Sequence, residues 1–181
     1  MKKTKRIVTI FSIVLIALAM MAVAVPVLAA PTDGQKVAVT YRVIPPSTLR
    51  NLGETTITPG GIYEFRGLTE VYPHNKLTIG TDAPLTVFAC MVESGSWNSQ
   101  TKVAVINCEA TWYISTGGSA DGFFGHEHMR LINYDMLGTH RWTDMQIEVV
   151  LHGFGSYEGQ TLMISYSGPA SPVVTGYCLK G

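Results

Sequence analysis

Residues 125–130 hold the densest group of side chains that can bind a metal or move a proton: His126, Glu127 and His128. If this run is a β-strand, its side chains alternate between two faces, so the two histidines share one face and Glu127 points the other way. Two imidazoles that face the interior can supply half of a zinc or copper site, with His140 or His152 as a third ligand. This facing predicts a metal site.

The opposite facing gives the chemical role to Glu127. It buries Met129 and Leu131 beside the carboxyl group, whose pKa rises on burial. Such a group can hydrogen-bond a ligand or act as a general acid/base, which makes Glu127 the candidate catalytic residue. We favour this facing because Met129 and Leu131 form the better core face, and Arg130 is costly to bury unpaired. In a third interpretation, both histidines and Arg130 simply lie on a solvated face.

Aromatic residues near the middle of the chain are the candidate ligand-binding residues. A lumen lined by some of these rings would suit a flat apolar ligand. The competing interpretation is ordinary core packing, because Trp112 alternates with Cys108 and Ala110 on an apolar face. The candidates are Trp112, Tyr113, Phe123 and Phe124.

The elements that must position these residues are strands, since hydrophobic residues recur at every second position almost everywhere. No helical spacing is sustained after Ala30, apart from a single turn at 47–51. Short strands with short connections favour a single antiparallel β-barrel of about eight strands, since closure removes exposed edges; a sandwich is the alternative. A bulge or barrel corner is predicted at Gly67. The predicted strands are 36–43, 61–72, 76–81, 85–92, 102–115, 123–133, 144–152, 160–167 and 173–179.

The N-terminus has the pattern of a secretory signal. Four basic residues precede an apolar run at 7–25, and small residues follow at 26–30. We therefore predict a signal peptide at 1–29 and one domain at 30–181 that is secreted or extracytoplasmic. An uncleaved anchor is the alternative, because the apolar run nearly matches the thickness of a bilayer, and it would leave the domain tethered to the membrane.

The domain after the signal is acidic. It keeps nine basic and all 13 acidic residues, a net charge of −4. Its basic residues are scattered singly, which argues against a nucleic-acid partner. No second apolar run is long enough to span a membrane, so no membrane span is predicted in the mature chain.

The cysteines and glycines support few further assignments. A turn at 93–100 would place Cys90 and Cys108 on one hairpin, where a disulfide can form and leave Cys178 free; three buried thiols are the alternative. The glycines at 117–118 and 153–155 lack the helix and the Lys-Ser/Thr pair of a phosphate loop, and no nucleophile elbow is present. No cofactor is predicted.

Two late segments point to a family. Residues 152–162, with Gly153, Gly155, Tyr157 and Gly159, and residues 168–180 resemble small secreted prokaryotic proteins of unassigned function. Those proteins look like the allene-oxide-cyclase and dirigent type of β-barrel, in which a Gly-x-Gly-x-aromatic-x-Gly turn links late strands. The resemblance implies an antiparallel barrel whose apolar lumen holds a small hydrophobic molecule. It supplies no match to a cyclase or dirigent site, and fold analogy alone does not establish an activity.

Three functions are consistent with these patterns. The first is a barrel that binds a small hydrophobic ligand in its lumen without turnover. The second is an enzyme of the cyclase or isomerase type that uses Glu127 as lumenal acid/base. The third is a structural or adhesive envelope protein that acts through its surface.

Overall fold

The strands of this chain alternate apolar and polar side chains, and they assemble into one antiparallel sheet. A computed structural model describes residues 35–114, 120–139 and 141–181. The predicted signal peptide at 1–29 and His140 lie outside the described residues. The strands are β1 (Gln35–Arg42), β2 (Thr48–Asn51), β3 (Glu54–Ile57), β4 (Ile62–Ile79), β5 (Leu85–Asn98), β6 (Val103–Ile114), β7 (Asp121–Ile132), β8 (Asp144–Phe154), β9 (Gln160–Pro169) and β10 (Val173–Lys180).

Eight of these strands close into a ring in the order β1-β10-β9-β8-β7-β6-β5-β4. The ring closes because β1 pairs with β10 along its whole length and also with the end of β4, where Val39 lies opposite Ile79 and Arg42 opposite Lys76. Strands β2 and β3 pair with the first part of β4 and lie off the ring. The prediction of an all-β, antiparallel fold of about eight strands in a closed sheet is confirmed.

Strand β4 is longer than predicted because it continues through two irregularities. Its pairing with β5 shifts between Arg66 and Leu68, where Gly67 has a φ of +68° that favours glycine, so the predicted bulge is confirmed. A second shift lies between Tyr72 and Asn75. Pro73 lacks the backbone donor that a ladder needs, and the irregularity leaves it unpaired. Residues 61–72 and 76–81 therefore belong to one strand.

One local prediction is wrong: the single helical turn predicted at 47–51 is replaced by strand β2, which pairs with β4. Of the two alternatives for the cysteines, the structure has the free thiols, with Cys108 and Cys178 buried and Cys90 partly buried, and no disulfide joins Cys90 to Cys108. Strand β5 continues through the predicted turn to Asn98, so Cys108 lies opposite Glu93 while Cys90 lies opposite Thr111. Glu93 is three positions after Cys90, an odd number, which places the two thiols on opposite faces of the sheet.

The core fills the inside of the ring. Trp112, Phe123, Leu77 and Val87 are completely buried. They come from the neighbouring strands β4 to β7 and pack with buried residues of β1, β8, β9 and β10 in one apolar cluster, so the inner face is packed rather than an open channel. The described part of the chain contains no helix with the length and hydropathy of a transmembrane span.

Asn75 lies between the part of β4 that pairs with β2 and the part that pairs with β1. Its Oδ1 accepts a hydrogen bond of 2.8 Å from the backbone N–H of Ile44, and its Nδ2 donates to the hydroxyl group of Tyr41. The side chain is fully buried, so water cannot replace either bond. Asn75 therefore links β4 to β1 and to the segment that leaves it.

We expect Asn75→Ala to lower the free energy of unfolding by roughly 1–3 kcal/mol, since it leaves buried polar groups of Ile44 and Tyr41 unpaired. The measurement is urea denaturation. The matched control is His74→Ala at the adjacent, exposed position, with an expected change within about 0.5 kcal/mol. Equal effects of the two substitutions would contradict the role assigned to Asn75.

Candidate functional site

Strand β7 directs Glu127 into the interior. The side chain is 2% exposed, whereas the adjacent His126 and His128 are exposed on the outer face. Its cross-strand neighbours are Cys108 on β6 and Val149 on β8, both buried. The facing favoured from the sequence is confirmed, and a carboxyl group therefore lies in an apolar layer of the ring.

A polar chain crosses the interior from Glu127. The Nε1 atom of Trp112 donates a 3.0 Å hydrogen bond to Oε1 of Glu127. The ring of Tyr41 stacks on Trp112, with 4.0 Å between the centroids and 14° between the planes, and its hydroxyl group accepts a hydrogen bond from Asn75. Strands β7, β6, β1 and β4 each contribute one member. Trp112, which donates the hydrogen bond to the buried carboxyl group, is thus itself connected to the strands β1 and β4.

Burial controls the charge of Glu127. Loss of hydration raises its pKa from an ordinary value near 4.5 to about 7, against the smaller lowering effect of the Trp112 hydrogen bond. Glu127 in turn contributes, after burial itself, to raising the pKa of Tyr41. A carboxyl group with a pKa near neutrality can both donate and accept a proton.

A second carboxyl group lies two strands away. Glu93 on β5 is directly opposite Cys108, which is directly opposite Glu127, so the three side chains form one row across β5, β6 and β7. Burial raises the pKa of Glu93 to about 8, with further contributions from the charge of Glu70, a hydrogen bond with Glu70 and the charge of Glu127. Burial and the neighbouring carboxylates therefore both favour the protonated form of Glu93.

Glu70 completes the group that we call the carboxyl cluster: Glu70, Glu93 and Glu127. It is half-buried on β4 and accepts hydrogen bonds from the hydroxyl groups of Ser47 and Tyr72, the latter at 2.9 Å. In the described part of the chain, the buried polar residues are Asn75, Glu93, Asp121 and Glu127, and none of them is a cation. The buried members of the cluster therefore have no buried cation among the described residues as a partner, which favours their protonated forms.

Cys108 lies between the two buried carboxyl groups and is not an activated nucleophile. Burial raises the pKa of its thiol, and the charges of Glu93, Glu127 and Glu70 raise it further. Because the thiolate is the reactive form, this environment keeps the sulfur inert.

The carboxyl cluster was only partly predicted. The sequence pattern predicts a role for Glu127 but not for Glu93 or Glu70. Glu93 continues the alternation of Val87, Ala89 and Met91, and this signal was overlooked because residues 93–100 were assigned to a turn. Glu70 gave no comparable signal, since its place beside Glu93 depends on the bulge at Gly67.

Of the histidines predicted as metal ligands, the three that the structure describes, His126, His128 and His152, are exposed on the outside of the ring. Nδ1 of His128 is 2.8 Å from Oδ1 of Asn107, and Nδ1 of His152 is 3.3 Å from the hydroxyl oxygen of Thr161. Among the described residues, no group of three or more His, Cys, Asp or Glu side chains is arranged to hold a metal ion. His126 and His128 thus share a face, as their spacing requires, but it is the solvated one.

The four candidate aromatic residues divide equally between the two faces. Trp112 and Phe123 are fully buried inside the ring. Tyr113 and Phe124 lie on the outer face and are 45% and 52% exposed. A lumenal ligand would contact only the first pair.

Comparison with known proteins adds no assignment: no protein-family model, curated protein or solved structure matches this chain. The resemblance to the allene-oxide-cyclase and dirigent type stays a prediction. The motif behind it forms the connection from β8 to β9, through a 3-10 turn at Gly155–Tyr157.

The raised pKa values predict that stability falls as the pH rises. Glu127 and Glu93 bind protons more tightly in the folded than in the unfolded chain, so their contribution is intact below about pH 4.5 and is lost as the pH rises to about 8. Across this pH range, we expect the free energy of unfolding to change by roughly 3 kcal/mol less in Glu127→Gln than in wild type. This amount is the free-energy equivalent of the shift in the pKa of Glu127.

The measurement is the free energy of unfolding across this pH range, compared with wild type. The control is Glu109→Gln, which removes an exposed carboxyl group from the neighbouring strand. Identical pH dependence in the wild type and in Glu127→Gln would rule out a proton held by Glu127 in the folded state.

Proposed function

We propose that this protein is an extracytoplasmic binding protein that holds a small, largely hydrophobic molecule inside the ring, without turnover. The observation that supports this most directly is the composition of the inner face: apolar and aromatic side chains, with the carboxyl cluster as its polar group. Protonated carboxyl and phenol groups can hydrogen-bond a neutral ligand atom without the desolvation cost of a full charge. Apolar sites with a few convergent polar groups are typical of small-molecule binding.

Differences in packing indicate where a ligand would bind. The layer around Trp112 and Phe123 is fully buried, whereas Leu68, Glu70 and Tyr72 are only partly buried. These three residues precede the segment of β4 that pairs with β1, and here β4 pairs instead with the short strand β2, which lies off the ring.

Met91 is the side chain best placed to yield to a ligand. It lies opposite Glu70 and two residues before Glu93, on the same inner face. Methionine is unbranched and flexible, so it can move aside at low cost. If the apolar part of a ligand displaced the Met91 side chain, a polar atom of that ligand would lie near the carboxyl group of Glu93 or Glu127.

We therefore expect the purified protein to bind the neutral apolar dye N-phenyl-1-naphthylamine, and Met91→Phe to weaken this binding about tenfold or more by filling the space. The readouts are dye fluorescence and native mass spectrometry after mild purification. The control is Val92→Phe, which adds the same ring on the outer face at the next residue.

Two outcomes would overturn lumenal binding. In one, the dye does not bind and the native mass equals that of the chain alone. In the other, dye binding is lost in Val92→Phe and kept in Met91→Phe, which would place the apolar site on the outer face.

One observation favours an enzyme as a second candidate. Glu127 is buried in an apolar layer and has a pKa near neutrality, the combination that a general acid/base needs. For this candidate, Glu127→Gln should retain the fold and lower turnover of an unsaturated or phenolic substrate by a factor on the order of 10²–10⁴. The assay is a screen of such compounds against wild type, with Glu109→Gln as the control. Turnover that persists in Glu127→Gln would remove Glu127 from the chemistry.

A further inference from the structure

The outer face of the sheet holds a group of four aromatic rings that the interior does not use. We call it the aromatic platform: Phe88, Tyr113, Phe124 and Phe154. The ring of Tyr113 is 6.4 Å from that of Phe88 and 6.1 Å from that of Phe154, and Phe124 is 6.2 Å from Phe154. Phe88, Tyr113 and Phe124 are 42–52% exposed. Strands β5, β6, β7 and β8 each supply one ring, so the platform is mounted on rigid structure.

A groove of about 480 Å³, lined by both apolar and polar groups, adjoins the platform on the same strands. Its size lies within the range of small-molecule sites, roughly 300–1,000 Å³. Two carboxylates each lie directly across from a histidine: Glu109 from His126, and Glu148 from His128. Asn107 pairs with His128 on the other side, and Val92 and Val150 border the groove. Hydrogen-bond donors and acceptors therefore alternate on adjacent strands across the groove.

We propose that the platform and the groove together form a binding site for a neutral carbohydrate chain. The C–H groups of a sugar ring are slightly positive and pack against the negative faces of aromatic rings. Sugar hydroxyl groups both donate and accept hydrogen bonds, which matches a groove that alternates carboxylates with imidazole and amide groups. His126 is two residues from Phe124 on the same face of β7, so one chain can contact both parts.

Other ligand classes fit only part of this surface. An anionic ligand, nucleic acid included, would meet Glu109 and Glu148, and no Lys or Arg is among the residues that line the groove. A purely apolar ligand would cover the platform but would not match the exposed carboxylates, imidazoles and amide of the groove. A metal ion is not favoured either, because no group of three or more His, Cys, Asp or Glu side chains among the described residues is arranged to hold one. A neutral polyhydroxylated chain satisfies the rings, the donors and the acceptors together.

The test is affinity gel electrophoresis of the purified protein in gels containing a soluble β-glucan, xylan, mannan or α-glucan. We expect at least one of these polysaccharides to retard the wild type. Phe124→Ala and Tyr113→Ala should each weaken that binding about tenfold or more, since each removes a stacking ring. Trp142→Ala is the matched control, because Trp142 is another exposed aromatic residue that belongs to neither the platform nor the groove, and its binding should equal that of wild type.

Retardation by none of the four polysaccharides, or undiminished retardation of a Tyr113→Ala/Phe124→Ala double variant, overturns the proposal. Sedimentation velocity distinguishes the main alternative: a dimer that Phe124→Ala dissociates would mean that a second copy covers this face. Binding of the apolar dye inside the ring is independent of these results, because Phe124 and Tyr113 do not contact the interior.

Discussion

The fold depends on closure of an alternating sheet. Because β1 pairs with both β10 and β4, every strand of the ring has neighbours on both sides, and none can shift its register alone. A slip of one residue on β7 would turn Glu127 outwards and bring His126 and His128 into the apolar core. The position of every functional candidate on the inner or outer face follows from this constraint.

Local alternation was enough to predict most of the strands and the burial of Glu127. Met129 and Leu131 identify the inner face of β7, and that identification needs no knowledge of the partner strands. The same reasoning located the bulge at Gly67, because a glycine in an otherwise regular strand marks an irregularity. Information within a single strand therefore gave the fold class and the facing of its side chains.

Contacts between strands could not be predicted in this way. The register of β5 on β6 places Cys108 opposite Glu93, and no local pattern distinguishes this from a register that aligns Cys108 with Cys90. The turn predicted at 93–100 shortened β5 and made the disulfide look feasible. Glu70 reaches Glu93 only because β4 continues past a bulge, and the stack of Tyr41 on Trp112 joins residues 71 positions apart in the chain. Such juxtapositions depend on the closed topology as a whole.

The carboxyl cluster is difficult to explain as a device for stability. Well-packed apolar residues often stabilise a core as well as buried ionisable groups do, and Glu93 and Glu127 must each retain a proton to remain buried near neutral pH. The Trp112 hydrogen bond satisfies Glu127 but also favours its charged form, so it opposes the effect of burial. A carboxyl group held between these opposing influences exchanges its proton near neutrality, whereas a purely structural residue gains nothing from that property. The carboxyl cluster therefore supports the proposal that the inner face takes part in recognition or proton transfer.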